Sequence, residues 1–165
     1  MTDIILSSFL SLFALFGKEE QVDEAWAKAM LVSYLRHHFG IRNIDTYVDL
    51  YSDMRMAYEM TDGLDTQQVV SGICSNLHGK ISAKEESLLL LRLMEFCGYK
   101  EGGATQMFRA MADEFHIPDT LLKDFTDYVS NHETEHVLLH QLDDTDGQLK
   151  TLFEPGMGLL IFTYT

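Results

Sequence analysis

The segment IILSSFLSLFALF, residues 4–16, constrains the fold more than any other stretch. Read as a helix it is apolar on nearly every side, with Ser7, Ser8 and Ser11 forming one narrow polar strip. Such a helix is stable only when surrounded, either at the centre of its own domain or under a partner. Asp3 precedes the apolar run, no basic region leads it and no small-residue cleavage site follows, so it does not read as a targeting segment. It is also shorter than the about 20 residues that cross a bilayer. We therefore expect a buried structural helix, and the rest of the chain has to supply its cover.

The remaining residues up to about 131 carry helical periodicity. VDEAWAKAMLVSYLRHHFG places Trp26, Met30, Tyr34, Leu35 and Phe39 largely on one face. Asp23 and Glu24 stand where a helix start favours negative charge, and Gly40 stands just past its end. In IDTYVDLYSDMRMAYEM, behind Asn43 as a cap, Tyr47, Tyr51, Met54 and Tyr58 recur at threes and fours. Asp65 with Gln68 and Ser82 with Glu85 are two capping boxes, opening TQQVVSGICSNLHG and AKEESLLLLRLMEFCG. GGATQMFRAMADEFH and PDTLLKDFTDYVSN complete seven helices with short connections.

After residue 131 the pattern changes. HVLLHQL and LLIFTYT read as strands, QLKTLF as a weaker one, with DDTDG and EPGMG as turns. The expected fold is mainly α: a bundle of about seven helices over 1–131, followed over 132–165 by a short β-hairpin or meander. Three short strands are marginal alone. That segment is expected to pack on the helices or to begin a following domain, and we expect the chain to be part of a longer protein.

Composition narrows the function. Twelve Lys and Arg against 26 Asp and Glu give a net charge of −14, which repels phosphate backbones and anionic lipid. Nucleic acid and direct membrane insertion are therefore not expected, and an acidic cytoplasmic protein is. Cys74 and Cys97 lie in apolar stretches without C-x-x-C spacing and read as buried free thiols.

Several motifs invite chemistry. His132, Glu133 and His136 spell H-E-x-x-H, with His140 one step further and Glu154 as a conceivable third ligand. The motif works when a helix presents both imidazoles on one face. Here Ser130 and Asn131 read as helix stops, strand-forming residues begin at Val137, and charged Glu135 occupies an inner position. We read the match as coincidence, with a zinc hydrolase or a metal-binding His cluster as the alternatives. DDTDG fails as an EF-hand, because Gly147 at position 6 puts Leu142 at position 1 and Phe153 at position 12. EGGATQ lacks the Lys-Ser/Thr ending of a phosphate loop. No cofactor motif and no catalytic residue is assigned. His37 and His38 read as partners of helix C-terminal carbonyls, and the methionines and tyrosines as core or as an adaptable groove.

An internal likeness connects FGKEEQVDEAWAKAMLVSYLRHHFGI with HGKISAKEESLLLLRLMEFCGY. Each has Gly-Lys, a polar lead with one aliphatic residue (Val22, Ile81), a long apolar helix and a closing glycine (Gly40, Gly98). The arrangement resembles the TerB-like family of all-helical domains, over roughly residues 1–131. The opening segment and the later strands are similar to a variant that stands at the N-terminus of larger proteins, some carrying an ATPase of the ABC-transporter type. The resemblance implies a non-enzymatic binding or sensing module, and in some members an acidic cluster near the helix starts is a proposed metal site. Carried over by position, the acidic residues are Asp23 and Glu24 in one unit and Glu85 and Glu86 in the other. The chain departs from the family pattern, in which Asp precedes Gly. It has Phe16 and His78 there, and Lys18 and Lys80 follow each glycine, a change that weakens a hard-cation site. We therefore expect a non-catalytic interaction or regulatory module. It would dock on a protein partner or a following domain through the first helix (Phe9, Phe13) and the C-terminal strands, with metal sensing as the alternative.

Overall fold

A computed structural model describes residues 3–98 and 104–131. Among them are seven α-helices: α1 (Asp3–Glu19), α2 (Glu24–Ser33), α3 (Ile44–Glu59), α4 (Thr66–Leu77), α5 (Ala83–Cys97), α6 (Thr105–Glu114) and α7 (Asp119–Asn131). A π-helical turn, Tyr34–His38, extends α2. The described residues contain no strand, only an isolated bridge between His78 and Ile81. The expected C-terminal strands, and His132, Glu133, His136, His140 and Glu154, lie outside the described residues. Ser130 and Asn131, read as stops, are both helical.

Local chemistry sets the helix starts. Asp23 accepts from the Trp26 N–H at 3.1 Å, Asp65 from the Gln68 N–H at 3.2 Å and Ser82 from the Glu85 N–H at 3.1 Å. Each satisfies one of the orphan donors of a first turn. Asn43 holds the cap position of α3 without a side-chain bond.

α1 is the centre of the molecule, packed on α3, α4 and α5. Leu12, Leu15 and Phe16 are fully buried, each large side chain contributing about 1.5–3 kcal/mol. Its serine strip finds α3: the hydroxyls of Ser11 and Tyr58 lie 2.6 Å apart. Nearer the other end of α1, a Cβ built on Gly17 would stand 2.5 Å from the Tyr51 hydroxyl. The two contacts run in opposite order along the helices, so α3 is antiparallel to α1, and Gly17 is the residue that lets them close.

α5 is the second buried helix, with Leu88–Leu91, Leu93, Met94 and Phe96 in the core. Phe13 meets Phe96 edge to face at 5.0 Å. Near the start of α2, the Trp26 indole donates to the Phe96 carbonyl at 3.0 Å, covering one of the orphan acceptors at the end of α5. Past the other end of α2, Tyr34 feels Arg92 and Glu85, so α2 and α5 are antiparallel. α4 and α6 run parallel: Gln67 bonds Gln106 near their starts, and His78 meets His116 just past their ends.

Candidate functional site

The four acidic residues drawn from the family resemblance are not brought together. Asp23 caps α2 and Glu24 is exposed beside it. Glu85 belongs to the Ser82 capping box. The start of α2 lies against the end of α5, and Phe96 is eleven residues beyond Glu85, roughly 16 Å of helical rise. One ion cannot bridge that separation. Lys18, which follows the first Gly, pairs with Glu19 at 2.8 Å.

Glu86 is different. It is 3% exposed, and its Oε2 lies 2.7 Å from Nδ1 of His78. A buried carboxylate needs such a partner. The imidazole of His78 is 42% exposed, so its far side faces outward. The ring of His116 stands edge to face with it, centroids 5.0 Å apart. Three elements thus converge at one corner: the turn after α4, the first turn of α5 and the turn after α6.

The backbone at that corner has an unusual feature. α6 closes with the His116 N–H bonded to Asp113 and the Ile117 N–H bonded to Ala112, at 3.2 and 2.8 Å. This is the Schellman arrangement, whose left-handed residue is commonly glycine. Here it is His116, at φ 57°. Sequence reasoning singled out Glu86 and missed its partners His78 and His116, which stand eight and thirty residues away in the chain. The available signal was EFHIP: Pro118 cannot continue α6, and no glycine precedes it to take the left-handed turn.

The thiols read as expected in being free, Cys74 buried and Cys97 partly covered. Burial, with Glu114 and then Glu86 adding to it, pushes the Cys74 thiol up. Both carboxylates therefore bear on the same corner. Burial, then Glu20, pushes Cys97 up likewise. Neither thiol is an activated nucleophile.

Other singled-out residues serve the core. Phe9 and Phe13, expected at a partner surface, are each 1% exposed. They sit among Tyr34, Phe39 and Phe96, because α1 from Phe9 to Gly17 is buried on nearly every side. His38 stacks on Tyr34 at 5.1 Å and meets Phe39 edge to face. The Tyr34 hydroxyl is buried without a hydrogen-bond partner among the described residues, and burial pushes its pKa up. The tyrosine stripe joins α3 to α1 through Tyr51 and Tyr58, as core rather than groove.

A cleft of about 190 Å³ lies between α5, α6 and α7, walled by Met94, Phe108 and Leu122. It is smaller than the about 300–1,000 Å³ of small-molecule sites. No described helix is long and apolar enough to cross a membrane. A scan against protein-family models, a search of the curated proteins and a search of the solved structures each find no match to this chain.

Proposed function

We propose that the chain is a non-catalytic, cytoplasmic interaction module that docks on a basic surface of a protein partner or of an adjoining domain in the same polypeptide. One observation carries this reading. Among the described residues the large hydrophobic side chains left exposed are Ile4, Met56 and Met60, and the two methionines, 61% and 79% exposed, are one turn apart, Met56 on α3 and Met60 at the cap just past its end. The opposite face of α3 is committed to α1. Methionine makes an adaptable contact surface, and exposed Asp53 and Asp62, with Glu59 paired to Arg55 at 3.2 Å, stand near this pair in the chain. An apolar centre with a charged rim is the usual anatomy of an interface. An acid rim on a chain of net charge −14 selects Lys and Arg opposite it. The TerB-like resemblance supports the same kind of role, and the burial of Phe9 and Phe13 moves the contact to the Met56 end of α3.

A photo-crosslinking residue placed at position 60 in cells tests this. The expected result is one discrete adduct that weakens with added salt during capture and is lost with Met56→Lys. The same probe at exposed Asn76 on α4 should give none. Equal labelling from both positions, or none from position 60, would overturn the reading.

A further inference from the structure

The corner between α4, α5 and α6 carries an inference independent of docking. We propose that His78 and His116 are the two imidazole ligands of an exchangeable site for a divalent transition-metal ion, with buried Glu86 as the carboxylate that orients His78.

Four observations meet there. First, the Glu86 carboxylate lies 2.7 Å from Nδ1 of His78, and a neutral ring that donates its Nδ1 proton there offers Nε2 as the ligand atom. Metal-bound histidines are held in this way, by a carboxylate on the nitrogen that does not touch the metal. Second, two imidazoles bound to one tetrahedral ion at about 2.0–2.1 Å have ring centres roughly 5 Å apart. The centroids of His78 and His116 are 5.0 Å apart. Their edge-to-face packing, 81° between planes, gives way to shared ligation when an ion enters between the rings. Third, His116 occupies a left-handed turn, φ 57°, where glycine fits without strain. Strain of that kind concentrates where a side chain has a task. Fourth, Glu86 and Glu114 both act on Cys74, so two carboxylates lie on this side of the molecule together with exposed Lys80.

The described residues hold no group of three His, Cys, Asp or Glu around one point. Two imidazoles therefore leave open positions for water or for a donor from another molecule. That is the pattern of an ion that comes and goes, in contrast to closed four-ligand structural sites. Imidazole ligands favour zinc, copper or nickel over magnesium or calcium.

The test uses the full chain carrying H132Q, H136Q and H140Q, so that the C-terminal imidazoles do not contribute. Zinc is titrated by calorimetry, and cobalt by its visible absorption. One equivalent is expected to bind. His116→Gly removes one ligand while relieving the turn, so it should weaken binding at least about 30-fold without lowering the metal-free melting temperature. His78→Gln should have a similar effect, and Glu86→Gln should weaken binding about 10-fold or more, the usual effect of losing an outer-shell partner. Absence of binding by the parent, or affinities within about threefold of it in both histidine variants, would overturn the proposal.

Discussion

Two turns in the molecule share a sequence skeleton and do different things. The passage from the last turn of α1 into α2 and the turn from α4 into α5 each contain Gly-Lys, an aliphatic residue and a capping side chain, Asp23 or Ser82. The helix each one opens ends at a left-handed glycine, Gly40 or Gly98. Each also has a thiol pushed up beside acids, Cys97 near Glu20 and Cys74 near Glu114 and Glu86. Yet the first turn is a clamp. Gly17 lies inside α1 under Tyr51, and Arg55 donates to the Val22 carbonyl at 2.8 Å and to the Tyr51 hydroxyl at 3.1 Å. At the second turn the helix stops at Leu77, Gly79 is left-handed with nothing near its missing Cβ, and His78 faces outward. The helix beside each turn makes the difference. α3 brings an arginine and a tyrosine that lock the first, and α6 brings an imidazole that leaves the second open.

The largest test of this parallel is alkaline unfolding. Both thiols have folded pKa values raised above the ordinary 9.0, chiefly by burial. Below about pH 9 both folded and unfolded chains keep these protons, and stability is complete. Above it the unfolded chain releases protons that the folded chain retains, so stability falls as pH rises, by up to about 1.4 kcal/mol per unit for each thiol. Tyr34 and Tyr51, raised above 10.0 mainly by burial, add to the loss further up. Denaturant titrations from pH 8 to 11 should show this slope, and Cys74→Ala and Cys97→Ala should each reduce it by about one proton. A reduction from only one of them breaks the parallel.

Next in size is Arg55→Met, which leaves the Val22 carbonyl and the Tyr51 hydroxyl without their donor and should cost about 2–3 kcal/mol. The matching change at the open turn, exposed Lys80→Met, should stay within about 0.5 kcal/mol. Urea midpoints measure both, and equal losses would erase the distinction between clamp and open turn. Gly17→Ala should cost about 1–2 kcal/mol net, overpacking against Tyr51 outweighing the gain in helix propensity. Tyr51→Phe in the same chain should remove that cost by removing the hydroxyl. Gly79→Ala, strained by its φ of 86° and not by crowding, should not be rescued by Tyr51→Phe. The smallest expected effect is a gain: Gln21, like His116, is left-handed at φ 50°. Gln21→Gly should raise stability by about 0.5–1 kcal/mol, seen as a higher melting temperature.

Seven helices, the caps at Asp23, Asp65 and Ser82, and the burial of α1 are legible in the sequence. Each depends on neighbours within about four positions or on the polarity of a single face. What covers α1 is not legible. An all-round apolar helix suits a core or a partner equally, so Phe9 and Phe13 carried no mark of belonging to the core. The corner is equally silent, because His78, Glu86 and His116 meet only through the parallel course of α4 and α6. The π-helical turn at Tyr34–His38 has no periodic signature either. Its aromatic stack of Tyr34 on His38 appears only once α1 supplies Phe9 and Phe13.

The central position of α1 also bears on how the protein is made. During synthesis α1 leaves the ribosome before the helices that cover it, and α5, whose end at Cys97 completes much of that cover, emerges 78 residues after Glu19. At about 5–20 residues per second, roughly 4–16 s pass with that greasy rod newly translated and its covering helices still to come. A nascent-chain chaperone should be found on it throughout that interval and should release once residues beyond Cys97 have cleared the exit tunnel.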